Sequence, residues 1–253
     1  ALNTVAALHA PARPPSTTSA TLIAVIGGGV LLAVLALLAG LAGYERVEAF
    51  ERVDERNALL ARVFAEQATR NVEAAALAAT AAAETLQRGA APGGPEVQAG
   101  LQQTLSHLPF LRGIAVVTTE GRVLASATAG EAGLTVGLSA LGPLPVPGSE
   151  RLAPFVPVRS LRELAHTAGS TPAGVGVLPL LRGTTLGGQQ HAVVVVLINP
   201  TSFANFQQAT LADGGAAAAL LCFDGQLLAA TSSVPRTPGS SLATLAPFAR
   251  FLP

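Results

Sequence analysis

Hydrophobic and polar positions divide the chain into one uninterrupted apolar run, a long segment of helical period and a series of short runs with strand character. Thr21–Ala42 (TLIAVIGGGVLLAVLALLAGLA) holds no charge, amide or proline. At about 1.5 Å per residue its helix measures about 33 Å, enough to cross a hydrocarbon core of about 30 Å. A cleaved leader would carry an apolar core of about 7–15 residues ending at a small-residue site. Here the run is longer and leads into a polar helix, so it reads as a membrane anchor. Small residues recur within it at four-residue spacing, which lets another helix approach closely. Gly28, Gly29, Ala33, Ala36 and Gly40 are the candidate packing positions for other membrane subunits.

Gly43–Gln87 has no proline, and its apolar residues keep a helical period: Val47, Phe50, Val53, then Leu60, Val63, Phe64, then Val72, Ala76, Ala79, Ala83, Leu86. It predicts one long stalk helix, charged in its first part and Ala-rich in its second. Arg88-Gly89 followed by APGGP ends it, with Gly at the cap and Pro beyond. A short helix is predicted over Glu96–Leu105. Strands follow at Gly113–Thr118, Arg122–Thr128, Val175–Arg182 and His191–Ile198, the last two joined by a Gly-rich turn, GTTLGGQQ. The unbroken run Val193–Ile198 reads as a central strand buried on both faces. Pro200–Leu211 is predicted helical. Ala216–Phe223 and Gln226–Thr231 pair across Asp224-Gly225, a two-residue hairpin signal. Residues 129–157 read as a Gly/Pro-rich loop with room for one short strand, and Arg159–His166 as a helical turn.

Composition narrows the function classes. The 15 basic residues, all Arg, balance 15 acids, so no basic surface is set aside for nucleic acid. Cys222 is the single cysteine and, between Leu221 and Phe223, reads as a small buried hydrophobe. His9, His107, His166 and His191 are scattered without metal-ligand spacing. No phosphate loop, nucleophile elbow or dinucleotide fingerprint occurs. The expectation is a non-enzymatic chain with no catalytic residue, metal site or cofactor. Residues 1–20, rich in Ala, Pro, Ser and Thr, cannot fold alone and are expected to be ordered only by a partner.

Three stretches, LPFLRGIAVVTTEGRVLASA (108–127), VLPLLRGTTLGGQQHAVVVVLINPTSFANFQ (177–207) and ALLCFDGQLLAAT (219–231), resemble the Cache, or PAS-like extracytoplasmic, sensor domains of bacterial membrane receptors. The resemblance covers roughly residues 45–240. It implies an α+β fold: an N-terminal transmembrane helix, a long stalk helix and an antiparallel sheet domain with the start of a second subdomain. The divisions are then a tail (1–20), the transmembrane helix (21–42), the stalk (43–88), the sheet domain (96–211) and a partial second subdomain or extension (212–253). It also implies a single pass through a bacterial inner membrane with the bulk of the chain in the periplasm. Arg13 before the anchor against Arg46, Arg52 and Arg56 after it weakly favours the reverse orientation.

Two departures from the family shape the functional reading. Amino-acid-binding members carry an R-x-W-Y-like arrangement in the region of residues 129–170. Here Arg151, Arg159, Arg162 and His166 stand there without aromatic partners, so they form a candidate partner or ligand surface with a small-molecule ligand disfavoured. The family also continues into a cytoplasmic output domain that is not seen before Pro253. The reading favoured on these grounds is an accessory subunit that stabilises a larger membrane complex, for example a photosynthetic reaction centre with its antenna. It would touch other subunits through the membrane helix and residues 129–170. The alternative is the ligand-sensing input of a histidine kinase, diguanylate cyclase or chemoreceptor. The predicted core is Ile114, Val116, Val193, Val195, Leu197, Leu220 and Leu221, packed on the Ala-rich helix face.

Overall fold

The structure, a computed structural model of the 253-residue chain, describes residues 17–166, 171–187, 189–211 and 216–245. Anchor and stalk form one helix, α1, Thr17–Gln87. It begins four residues inside the expected tail; the rest of that tail, residues 1–16, lies outside the described residues. The helix ends as the sequence predicts. Gly89 takes φ +97°, and its N–H donates to the Leu86 carbonyl at 3.1 Å, closing a carbonyl the helix leaves free.

The chain divides into two compact units between Leu60 and Ala61. In the first, Leu22 and the apolar residues from Val25 to Leu41 are exposed, Gly28, Gly29, Ala33, Ala36 and Gly40 among them. A Cβ built on Gly28, Gly29 or Gly40 meets nothing within 4 Å. Arg52 pairs with Glu48 one turn back, and Arg46 lies over the Phe50 ring at 5.8 Å. Among the described residues this is the one helix long and apolar enough to cross a membrane.

The second unit is α+β. Helix α2 (Pro95–His107) starts on Gly94 with Pro at its first turn. Strands β1 (Leu111–Thr118), β2 (Val123–Ser126), β3 (Glu150–Leu152), β4 (Leu178–Leu186) and β5 (Gln190–Ile198) form an antiparallel sheet in the order β2-β1-β5-β4-β3. Helix α3 (Leu161–Ala165) falls between β3 and β4, and α4 (Pro200–Leu211) follows β5. Strands β6 (Ala219–Leu221) and β7 (Leu227–Ala230) make a separate two-stranded sheet.

The central strand β5 is buried on both faces from Ala192 to Ile198, and alternation sends its side chains into two cores. Val194, Val196 and Ile198 join Ile114 and Val116 against Ala75, Ala79, Ala83 and Leu86 of α1. Val193, Val195 and Leu197 face the other way, with Ala115, Val117 and Leu181. Of the seven predicted core residues, Ile114, Val116, Val193, Val195 and Leu197 are buried, but not all on the predicted side. Ile114 and Val116 meet the Ala-rich helix, whereas Val193, Val195 and Leu197 lie on the opposite face, because an unbroken Val run carries no period to phase it. Leu220 is half-buried against the helix-side core and Leu221 is half-buried.

Two further differences have local causes. GTTL belongs to β4, not to the turn. Thr184 is buried and donates to the Ala83 carbonyl at 3.4 Å, and the strand continues to Leu186. The Asp224-Gly225 hairpin closes in the three-residue form. Gly225 N–H donates to Cys222 O, Cys222 N–H donates to Gln226 O, and Gly225 sits at φ +80°. The Asp224 carboxylate takes the Gln226 N–H at 2.9 Å, which reinforces that turn.

Small residues on α1 let the helix lie close to the sheet, so enlarging one should be costly. Ala79→Leu is expected to lower the stability of this unit by about 1–3 kcal/mol through overpacking. Leu77→Ala, at a side chain 70% exposed, should stay within about 0.5 kcal/mol. Urea unfolding followed by circular dichroism checks both, and equal effects would mean that α1 does not pack through its Ala face.

Candidate functional site

The sheet face turned away from α1 is covered by the chain's own residues 129–165. Val136, Leu141, Ala153, Val156 and Leu161 are buried on it. Bridges at Arg122/Thr135, Pro147/Gly183 and Val156/Val177 lace this cover to the sheet. Gly183 makes one of these seams possible. A side chain there would overlap the Val146 carbonyl and come within 2.6 Å of the Pro145 carbonyl. The long Gly/Pro segment is thus a lid with an apolar underside.

A polar cluster sits where the lid meets the ends of β1 and β5. A register shift between Leu111 and Gly113 leaves Arg112 without a paired position. It brings the guanidinium within electrostatic reach of Arg159 and Glu163 at the start of α3. Arg112 Nε donates to Asn199 Oδ1 at 2.9 Å. That same oxygen accepts the Thr201 N–H at 3.2 Å, so Asn199 also caps α4. Burial, then the like charge of Arg159, lowers the Arg112 pKa from its ordinary value, and Glu163 partly offsets both.

Glu163 holds the start of α3 together. Its Oε2 accepts the Arg159 N–H at 2.7 Å and the Thr171 hydroxyl at 2.8 Å, and its own N–H reaches the Ser160 hydroxyl at 3.4 Å. The backbone bond from Arg159 is the main reason its carboxyl lies below the usual glutamate range. Glu131, 2% exposed, ties α3 to β2: it accepts from Ser126 Oγ at 2.7 Å and from the Arg162 N–H at 3.3 Å.

The four residues singled out from sequence divide. Arg159 belongs to the cluster, and Arg162 flanks it while donating to Gly130 O at 3.0 Å. Arg151 serves the lid instead: it donates to the Pro143 carbonyl at 2.9 Å and to the Leu141 carbonyl. His166 is exposed and bonds the Arg162 carbonyl at the end of α3, next to residues 167–170, which lie outside the described residues. Arg112, Glu131 and Asn199 escape a sequence reading, because each lies in an apolar strand, a loop or a strand end and gains its role from the fold. The one available signal is an Arg at the head of a strand that is otherwise apolar.

Chemically, the cluster offers two neighbouring guanidinium groups against one carboxylate. Among the described residues the terminal nitrogens of Arg112 and Arg159 have no hydrogen-bond acceptor. Like charges held together at a partly buried edge are answered most simply by an acidic group from outside. Nothing here arranges a nucleophile beside a base, and among the described residues no three His, Cys, Asp or Glu side chains come together to hold a metal ion.

Neither a protein-family model nor a curated protein sequence matches the chain. Solved structures do. The extracellular domain of rpHK1S-Z16, a protein assigned as a histidine kinase, matches with a TM-score of 0.56 at 21% identity, over 75% of this chain and 74% of that one. An extracellular ligand binding receptor from Desulfohalobium retbaense DSM5692 matches with a TM-score of 0.54 at 14% identity, over 72% of this chain and 32% of that one. The chain thus shares the fold of these two extracellular proteins, the α+β architecture that the sequence resemblance implies.

The depressed Glu163 pKa gives a pH signature. A lowered folded-state pKa adds stability that is present above the unfolded glutamate value, ~4.3, and lost as pH falls through the folded one. Glu163→Gln should therefore loosen α3 at neutral pH, and its difference from wild type should shrink on acidification below about pH 4. Hydrogen exchange of residues 160–166 along a pH series reads this, and a difference independent of pH would remove the assigned role.

Proposed function

We propose that this chain is the non-enzymatic input module of a single-pass receptor in a bacterial inner membrane, with its sheet domain in the periplasm reading a small ligand. The observation that carries the reading is the fold likeness to two extracellular domains, one of them from a protein described as a ligand-binding receptor. Two features of the chain fit it. Helix α1 runs without a break from the apolar segment into the sheet domain, and the lid edge presents two guanidinium groups whose terminal nitrogens lack acceptors among the described residues. The ligand is a small molecule carrying a carboxylate, held at the lid edge by Arg112 and Arg159. Planar guanidinium groups take such an anion through paired hydrogen bonds.

Preference for an accessory subunit of a larger complex gives way here. It rested in part on the thin supply of recognition groups in residues 129–170, a stretch that does not include Arg112. No feature of the fold or of the similar structures favours it.

A thermal-shift screen of small carboxylates against the full chain in nanodiscs tests the reading. At least one is expected to raise the melting temperature. Arg112→Ala should weaken that response about tenfold or more, in line with the loss of a charge-assisted hydrogen bond. Co-purification with a stable membrane complex, with no response to any carboxylate, would return the accessory-subunit reading to first place.

A further inference from the structure

A second recessed surface lies on the other side of the main sheet, among α1, the β3–β4 edge and the small β6–β7 sheet. It encloses about 250 Å³. Its floor is Leu178, Phe203 and Leu228, all buried. Leu152, on the edge strand β3 and 39% exposed, and Leu220 of β6 also line it. The space matches a single ring or a short alkyl body, below the size of drug-like sites.

The rim gives this cleft a polarity. Thr69 and Glu73 stand four residues apart on one face of α1, and both line the opening. Helical threonines in this chain habitually bond their own helix: Thr80, Thr85, Thr104 and Thr210 each donate to the carbonyl four residues back, at 2.8–2.9 Å. Thr69 makes no such bond among the described residues, so its hydroxyl is free to accept or donate at the cleft. Glu73 likewise has no cation partner among them; the nearby Arg70 pairs with Glu66 at 3.9 Å. A small apolar pocket rimmed by an unpaired carboxylate and a free hydroxyl complements an apolar body with an ammonium group.

We propose that this cleft binds a small hydrophobic amine, its ring or alkyl body on Leu178, Phe203 and Leu228 and its ammonium on Glu73 and Thr69. This site is separate from the Arg112 cluster and has the opposite charge preference. It stands or falls independently of the receptor reading.

Phenethylamine is the probe, titrated calorimetrically into the full chain in nanodiscs with empty nanodiscs as the blank. A ligand of this size should bind in the millimolar range or tighter. Phenylacetate, with the same ring and the opposite charge, should bind at least tenfold more weakly. Glu73→Gln, an exposed position that leaves the fold intact, should weaken the amine about three- to fivefold and narrow the gap between the two probes. Ala68→Phe should fill the cleft and abolish binding while circular dichroism stays unchanged. No heat above the blank, equal affinity for the two probes, or an unchanged affinity in Glu73→Gln would each overturn the proposal.

Discussion

The contact on which the rest of the sheet domain depends is the seat of α1 on the sheet through Ala75, Ala79 and Ala83. Side chains of one carbon let a helix approach closely, and the strands beneath must then be apolar on that face. Ile114, Val116, Val194, Val196 and Ile198 supply it, each burial being worth about 1.5–3 kcal/mol. With one face of β5 committed to the helix, alternation sends Val193, Val195 and Leu197 to the other. That second face is equally apolar and has no long helix to cover it, so the Gly/Pro segment and the short α3 fold back over it as a lid. The lid edge is where Arg112, Arg159 and Glu163 meet. A packing choice on one side of the sheet thus creates the candidate site on the other.

Much of this is legible before any coordinates are known. The apolar run, the stalk period, the helix stop at Gly89 and helix α4 are local signals, and each survives in the structure with small shifts at the ends. The α+β fold is legible too, through the resemblance of the stretches 108–127, 177–207 and 219–231 to a known domain family. What a sequence cannot carry is phase and long-range company. Five consecutive residues from Val193 to Leu197 are all aliphatic, so nothing in them says which alternate set faces α1. Gly183-Thr184-Thr185 looks like turn chemistry, yet the glycine is there to admit the Pro145–Val146 backbone and the threonine to bond α1. Arg112 reads as one Arg among fifteen until a register shift at the head of β1 presents it to α3.

The site also connects outward. Asn199 Oδ1 is shared between Arg112 and the first turn of α4, which ties the lid edge to the capping of that helix. Helix α4 in turn sets Phe206 edge-on against Phe64 of α1, with ring centres 6.1 Å apart. It also holds Ser232, after β7, through two bonds to the Gln208 side-chain oxygen. Hydrogen bonds and packed rings thus connect the lid edge with α1 at Phe64. Sequence similarity plays no part in this route, which follows from a few placements on one strand end.

Amide hydrogen exchange on the full chain in nanodiscs tests the central claim most directly, because it reads whether α1 and the sheet form one cooperative layer. The account predicts that residues 75–86 of α1 exchange as slowly as β1 and β5, and open together with them on adding denaturant. Residues 44–60 of the same helix, whose side chains are almost all exposed, should exchange much faster. Exchange at 75–86 as fast as at 44–60, with β5 still protected, would contradict it: the sheet would then be holding itself together without the helix.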